Sequence, residues 1–306
     1  MVNTVTDRRD IFMELPDRKP VSQEQVQALL KRLNEHAGNN FLYSREEKQP
    51  ETLTQEHLLA WNVVKEIKGQ LHPTASFQLL EGISDEFQNS MIRCACFKGT
   101  VRAVFIDHRD FTGPVDEQVE YALQFVLRHI RLGSRFESII RQDFFELPED
   151  TLREIIASAV CCRSFYDSGK IFCCVFDDRV EITFPGKPDP LLTMEELKSG
   201  SNIIRNKSIA KVFDWMHLLH LQNQWIPEVF RASEQYGLKE PELRYIGNSI
   251  RISMYRRDFE FDSYGAMNPE KYLLDQKYHM DDVDHTVMEL IARHPEYSAA
   301  EIAEET

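Results

Sequence analysis

Three segments between residues 148 and 206 decide the fold that we expect: PEDTLREIIASA at 148–159, FDDRVEITFPG at 176–186 and GSNIIRN at 200–206. The first places a proline and two acidic residues where a helix would begin, which suits the helix dipole. The second is an apolar run that ends at Pro185-Gly186, which is typical of a buried strand followed by a turn. The third is a polar loop that opens another helix. This order indicates a fold that combines helices with a sheet.

Composition limits the classes of function. The 306 residues carry a net charge of −14, so the whole surface cannot act as a general nucleic-acid binder, and any DNA contact needs a local basic patch or a further segment. No apolar run approaches the length of a membrane span, and the N-terminus lacks the apolar core of a signal peptide. The six cysteines form close pairs without C-x-x-C spacing, which favours buried, reduced thiols and a cytoplasmic location.

Apolar periodicity predicts the outer elements. Helical spacing predicts amphipathic helices at 22–36 and 54–69, the second ending at Gly69, and a strongly apolar helix at 206–222 that carries two histidines as core residues. Two β-rich runs, 91–97 and 101–106, flank a Lys-Gly-Thr turn and predict a hairpin. A single further strand is expected around 136–145.

From about residue 55 to 255 the chain resembles a bacterial family of predicted transcriptional regulators. Its members carry a divergent GHKL (RecG-related C-terminal, ATPase-like) domain, and AlbA/Schlafen-type and winged-helix domains usually accompany it. The resemblance rests on short matches in the same order along the chain: Cys94–Gly99, Asp107, Gly113-Pro114, Pro148, Leu152–Glu154, Asp178–Ile182, Pro185-Gly186, Arg205-Asn206, Ile226-Pro227, Gly237-Leu238 and Pro241.

The resemblance implies an α+β fold, a two-layer α/β sandwich of the GHKL or Bergerat type. A small α+β domain would precede it and a partial C-terminal helix-turn-helix would follow. The expected division is an N-terminal arm and helix at 1–53, an α+β domain with a hairpin at 54–147, the ATPase-like domain at 148–257, a linker at 258–282 and the start of a truncated winged helix-turn-helix at 283–306.

The catalytic helix of this family carries a glutamate that polarises the attacking water and an asparagine that holds magnesium. Glu154 matches the glutamate and is the candidate catalytic residue, but Ser158 stands at the asparagine position. A serine hydroxyl is shorter and does not reach the same point. The family's later His-Arg-Asp-Tyr stretch is Cys162–Phe165 here, and only Arg163 survives.

The resemblance also implies a nucleotide pocket. Its candidate residues, besides Ser158, are Arg163, Asp178, Gly186, Gly200, Ser201, Arg205 and Asn206. Two of them have simpler interpretations: Asp177-Asp178 also suits a hairpin turn, and Asn206 also suits a helix N-cap. No metal site is predicted.

The phosphate-binding loop is the clearest departure from the family. Where the family has Gly-Thr-Gly-Ile, this chain has Asn223-Gln224-Trp225-Ile226, and a tryptophan fills space that backbone and phosphate would share. ATP with magnesium is therefore the implied cofactor, but weak or no binding is predicted.

Three functions stay open. The chain is a regulatory or assembly protein on a degenerate module, an active divergent ATPase that uses Glu154 as general base, or a dimerisation scaffold that binds no nucleotide. A homo-oligomer or a partner protein is expected, with DNA contacted only through a missing or incomplete C-terminal domain, and no membrane.

Overall fold

The computed structural model describes residues 13–43, 50–82, 90–137, 140–165, 169–186, 193–200, 203–221 and 224–256. The helices are α1 (Gln23–Tyr43), α2 (Gln55–Ala60), α3 (Ala75–Glu81), α4 (Val115–His129), α5 (Glu149–Cys162), α6 (Met194–Lys198), α7 (Lys207–Trp215) and α8 (Trp225–Gln235). The strands are β1 (Val64–Ile67), β2 (Gln70–Pro73), β3 (Ile92–Lys98), β4 (Val104–Phe111), β5 (Leu132–Glu137), β6 (Ile140–Phe145), β7 (Ile171–Val175), β8 (Arg179–Pro185), β9 (Glu242–Ile246) and β10 (Ser249–Tyr255). None of these helices is long and apolar enough to span a bilayer.

A six-stranded sheet organises the described part of the chain, in the order β4-β3-β7-β8-β10-β9. Only β3 and β7 pair in parallel, and the other neighbours are antiparallel. Two antiparallel hairpins, β1-β2 and β5-β6, stand apart from this sheet. The predicted α+β class is confirmed.

Alternation along the strands separates the two faces of the sheet. Val180, Ile182 and Phe184 of β8 are fully buried in the main core, with the apolar residues of α4, α5 and α7. The side chains that point to the other face of the sheet form a smaller cluster of Ala95, Phe97, Cys174 and Phe176. Because side chains alternate along a strand, Cys173 joins the main core and its neighbour Cys174 joins the second cluster. All six cysteines are buried and free.

The sheet crosses the domain boundary expected between residues 147 and 148. Strand β3 pairs with β7 from Ile92↔Ile171 to Cys96↔Val175, and α4 packs on α5. The residues on both sides of the boundary thus share one sheet and one core, so the division into 54–147 and 148–257 does not follow the structure. The parallel strands require a long crossover, and α4, β5, β6 and α5 supply it.

The helix predicted at 54–69 is wrong after residue 60. Strands β1 and β2 form a hairpin whose turn is Lys68-Gly69, with φ angles of 52° and 76°. Two positive φ angles are the mark of a type I′ turn, where glycine is favoured. Val64 and Ile67 stand three apart, which imitates helical spacing, and Gly69 is a turn residue rather than a helix end. The single strand expected near 136–145 is likewise a hairpin, β5-β6.

The long helix predicted at 206–222 ends at Trp215. His217 has a φ of 57°, which a helix does not allow, and residues 216–219 form turns. The two histidines predicted for its apolar face are therefore not on a helix. The expected linker at 258–282 and the helix-turn-helix at 283–306 lie outside the described residues.

Helix α1 packs by the stripe that the sequence predicted. Val26, Leu29, Leu30 and Leu33 are all buried in the main core. Arg32, on the same helix, reaches α4 and binds Asp116 and Glu117 at 2.7 Å and 3.0 Å. The helix of the predicted N-terminal arm thus joins the core of the following elements.

Candidate functional site

Helix α5 presents one stripe of polar side chains to the elements that follow it. Glu154, Ser158 and Cys162 are four residues apart and thus lie on one helix face. All three are buried. Helix α5 packs against α7 and α8, and residues near these two helices approach both ends of the stripe. The stripe is where the resemblance places the catalytic and magnesium-binding groups.

Glu154 lies at the N-terminal end of the stripe. Burial raises the pKa of its carboxyl group above the ordinary value, while the charge and the backbone hydrogen bond of His220 act in the opposite direction. Its Oε1 atom is buried and has no hydrogen-bond partner. A carboxylate in this state is destabilised, because one oxygen has lost water without replacement.

Cys162 lies at the other end, against Trp225. Burial raises the pKa of its thiol to about 12, although Arg205 and a hydrogen bond from the Trp225 indole lower it somewhat. Trp225 is the first residue of α8 and is only 7% exposed. The side chain predicted to obstruct the phosphate loop is thus packed at the C-terminal end of α5.

Gly200 and Gln224 meet in a close contact between the Gly200 backbone and the end of the Gln224 side chain. The φ angle of Gly200 is +106°, and a Cβ atom built there would lie 1.5 Å from Oε1 of Gln224. The Gln224 side chain therefore covers the Gly200 backbone directly. This backbone was a candidate for binding phosphate, and here a side-chain amide of the same protein lies over it.

Asn206 holds the C-terminus of α5. Its side-chain nitrogen donates to the carbonyl oxygens of Val160, Cys161 and Arg163 at 3.0, 3.1 and 2.9 Å. These carbonyls belong to the last turn of α5, where a helix leaves acceptors without partners. Asn206 occupies the N-cap position of α7, but it makes no side-chain cap hydrogen bond there. Asn206 therefore stands at the predicted N-cap position of α7, but its side chain binds the end of α5 and does not cap α7.

Arg163, Gly186 and Arg205 come together just beyond α5. Arg163 is 1% exposed, donates to the Gly169 carbonyl at 2.7 Å and stacks on the Phe165 ring at 4.6 Å. A Cβ atom built on Gly186 would lie 3.7 Å from Nε of Arg205. The backbone of Arg205 donates to the carbonyl of Cys161, so the loop that precedes α7 is fixed to α5.

Asp178 is remote from these residues. It lies before β8 and Gly186 lies after it, so the strand separates them by roughly 25 Å at about 3.3 Å per residue. Its carboxylate binds Arg179 at 2.7 Å, and the neighbouring Asp177 accepts from the Gly99 N–H at 2.8 Å. These contacts agree with the hairpin-turn interpretation. Ser201 and Asn223 lie outside the described residues.

A second charged cluster, which sequence reasoning missed, lies on the opposite face of the sheet. Glu181 of β8 is 4% exposed and is contacted by Arg102, Arg179 and Arg251 at 3.0, 2.9 and 3.5 Å. Burial alone would raise the pKa of Glu181, but the hydrogen bonds from Arg179 and Arg102 outweigh it and the pKa is lowered. Only the alternation of β8 could have indicated that Glu181 faces away from the helices.

The site also contains contacts that no motif indicates. The contact of His220 with Glu154 and that of Gln224 with Gly200 join residues far apart in the chain. The one signal in the sequence was that larger residues replace the family's glycines at 223–225. Their side chains must fill space that the glycines would leave open.

Residues 169–275 match a protein family described as "Putative ATP-dependent DNA helicase recG C-terminal". The match covers β7 to β10 and begins after α5, so Glu154 and Ser158 lie outside it. The prediction of a RecG-related, ATPase-like domain is confirmed for these residues, whereas the role of transcriptional regulator stays a prediction.

Among solved structures, the chain is similar to the DIP2311 protein from Corynebacterium diphtheriae, with a TM-score of 0.64 and 14% sequence identity. The similarity covers 96% of this chain and 56% of that protein, so the chain spans little more than half of its length. At this identity the likeness concerns the fold. No curated protein matches the chain.

Proposed function

We propose that the chain is a regulatory or assembly protein built on a degenerate GHKL-like module, with little or no ATP binding and hydrolysis. A transcriptional regulator that acts in the cytoplasm is the form that fits the sequence resemblance best. The family match supports the ATPase-like ancestry of residues 169–256. The side chains that pack around α5 support the loss of nucleotide binding.

The observation that carries the proposal is that the chain's own groups take the contacts a nucleotide would need. His220 binds Glu154, Trp225 binds Cys162, and Gln224 covers Gly200. The first two contacts lie on one face of α5, and the third joins the loop between α6 and α7 to the residue before α8. A nucleotide would have to displace a buried tryptophan and an amide before reaching the helix.

Magnitudes favour this conclusion. Each lost charge-assisted contact to magnesium or phosphate removes roughly 1.5–3 kcal/mol. A micromolar affinity corresponds to about 8 kcal/mol, so about three to five such losses abolish it. Displacing Trp225 from its packing adds a further cost, because a tryptophan buries a large apolar area.

Calorimetric titration of the full chain with ATP and Mg²⁺ tests the proposal. We expect no saturable heat at micromolar protein, and binding with a dissociation constant below about 10 μM would overturn it. Trp225→Gly is the matched variant, because it removes the obstructing side chain and leaves Glu154 and Ser158 in place. Far-UV circular dichroism of both proteins controls for folding.

An active ATPase is the second candidate, and one observation favours it. The free, buried Oε1 atom of Glu154 is what a general base needs to accept a proton from water. Steady-state phosphate release decides between the two candidates. Turnover that Glu154→Gln abolishes would establish the ATPase, whereas equal background rates in both proteins would support the degenerate module.

Regulation of transcription requires a DNA contact. We propose that such a contact lies outside the described residues, since the chain carries a net charge of −14. A gel-shift assay with the 306-residue chain should give weak binding that disappears at moderate salt. Nanomolar, salt-sensitive binding would instead require a basic surface within this chain.

A further inference from the structure

Strand β4 forms one edge of the six-stranded sheet that the described strands build, and the N-terminal part of this strand is apolar. Val104, Phe105 and Ile106 are 54%, 62% and 59% exposed, and Val101 in the preceding loop is 62% exposed. Nine large hydrophobic side chains are exposed among the described residues, and these four are consecutive or nearly so. An apolar patch on an unpaired strand edge indicates a surface that another strand covers.

The opposite edge of the sheet differs. Strand β9 has five residues, its Leu243 is buried, and Glu242 and Arg244 bind each other across its outer surface. Short, charged edges are the usual protection against unwanted pairing. Strand β4 has eight residues, and its exposed apolar residues Val104, Phe105 and Ile106 are followed by the charged segment Asp107–Asp110. The two edges of one sheet are thus suited to different surroundings.

The charges on β4 are arranged in pairs that cancel. Asp110 is bound by Arg93 of the neighbouring strand, which lowers the pKa of its carboxyl group through the hydrogen bond. Asp107 and Arg109 stand two residues apart and 3.8 Å from each other. In a chain with a net charge of −14, an electrically balanced edge is a place where two copies can approach with little repulsion.

We propose that β4 pairs with β4 of a second copy of this chain, antiparallel and around a two-fold axis at His108. Residues at equal distances on the two sides of the axis then lie opposite each other. Asp107 of each copy faces Arg109 of the other, which gives two equivalent ion pairs. The two six-stranded sheets then join into one of twelve strands.

The bulge in β4 fits this register. Between Cys96 and Phe97 the pairing with β3 skips Ile106, so the regular ladder of β4 begins at Asp107. The proposed axis lies inside this regular part. The Asp107 carboxylate now accepts from the N–H of His108 at 2.8 Å, which occupies one donor of the edge. In the dimer the carboxylate turns to Arg109 of the second copy, and the His108 N–H becomes available to the ladder.

The sequence of β4 favours a second copy of this chain as the strand that pairs with it. A different peptide would need no symmetry in the order of acid and base, whereas Asp107-His108-Arg109 is complementary to its own reverse. The dimer deepens the assembly role proposed above. It is measured without nucleotide, so its failure is distinguishable from the outcome of the ATP titration.

Light scattering of the full chain after size-exclusion chromatography tests the pairing. We expect a mass of twice 35.8 kDa at micromolar concentration. Ile106→Asp should shift the mass to that of the monomer, because in this register it places a carboxylate opposite Asp110 of the second copy. Ile246→Asp on β9 is the matched control and should leave the dimer intact. Unchanged far-UV circular dichroism shows that both variants fold.

Charge exchange tests the register. Asp107→Arg and Arg109→Asp should each weaken the dimer by at least about tenfold, since like charges then face each other. The double variant should recover it, because both ion pairs return with the signs exchanged. A monomeric native chain, a dimer that survives Ile106→Asp, or a double variant no tighter than the single ones would each overturn the proposal.

Discussion

Arg32 and Asp116 bind each other in a bidentate pair that fixes α1 to α4. The two guanidinium nitrogens lie 2.7 and 3.0 Å from the two carboxylate oxygens, and His36 binds the same carboxylate at 2.6 Å. The Asp116 side chain is fully buried, whereas that of Arg32 is 28% exposed. Because burial shields the Asp116 carboxylate from water, Arg32 and His36 must stabilise its charge instead.

Asp116→Asn should destabilise the protein by about 3 kcal/mol, because it leaves Arg32 and His36 without their shared anion. Urea unfolding followed by circular dichroism measures the change. Glu117→Gln is the control: Glu117 also binds Arg32, but its side chain is 32% exposed, so the loss should stay below about 1 kcal/mol. Equal losses in the two variants would show that burial of the pair is unimportant.

Stability should also fall on the acid side because of Asp116. Burial alone would raise the pKa of this carboxyl group, but the hydrogen bonds from His36 and Arg32 outweigh it and hold the pKa below the ordinary 3.8. A depressed pKa contributes stability above 3.8 that disappears as the pH falls through the folded value. Urea midpoints between pH 6 and pH 3 should therefore decline less steeply in Asp116→Asn than in the native chain.

Glu154→Gln should stabilise the protein at neutral pH, by on the order of 1 kcal/mol. Burial raises the pKa of Glu154 above its ordinary 4.5, so its contribution is complete below that value and is lost as the pH rises through the folded pKa. The native chain should therefore lose stability relative to the variant as the pH rises from about 4.5 through the raised pKa of the folded state. Thermal midpoints at several pH values measure the difference, and parallel curves would contradict the assignment.

Trp225→Ala should cost about 3–5 kcal/mol, as removal of a buried aromatic side chain does. It should also expose Cys162. In the native chain burial raises the pKa of this thiol to about 12, so it should resist an aromatic disulfide reagent at pH 8. The variant should gain one reactive thiol, which Cys162→Ser in the same background removes. Labelling at another cysteine would show that the indole does not cover Cys162.

Gly200→Ala should destabilise the protein by about 2–3 kcal/mol through two separable effects. The φ of +106° strains any alanine, and the new Cβ atom meets Gln224. Adding Gln224→Ala should recover only the part due to the collision. Gly99→Ala is the matched control, because Gly99 has a φ of +83° and open space around it. Its cost should be about 1 kcal/mol. Chemical unfolding of the three variants measures the contributions of backbone strain and of the collision separately.

The elements with strong local signals were predictable from the sequence. Helix α5 has an acidic first turn after Pro148, and α1 has a clear apolar stripe, so both follow from residues close together in the chain. The hairpin β1-β2 was not found, because Val64 and Ile67 match helical spacing as well as strand spacing. Local periodicity cannot separate the two when the run is so short.

The sequence identified candidate positions for the site, but it did not identify the contacts that these residues make. Glu154, Gly186 and Arg205 could be chosen by motif, but their surroundings depend on residues far away in the chain. The contact between Gln224 and Gly200 needs a turn after α7 that begins with the positive φ of His217. Nothing in the apolar sequence of 207–215 announces that turn, since the same residues could continue as a helix.

The parallel pairing of β3 with β7 has a consequence for synthesis on the ribosome. Strand β4 is complete at Phe111, whereas β7 begins only at Ile171. At roughly 5–20 residues per second, the β3-β4 hairpin therefore waits for several seconds with both edges uncovered. During that interval the edge of β3 that β7 later covers, with Ile92 and Cys94, is open to other nascent chains, so this part of the core stays exposed until α5 and β7 have been synthesised.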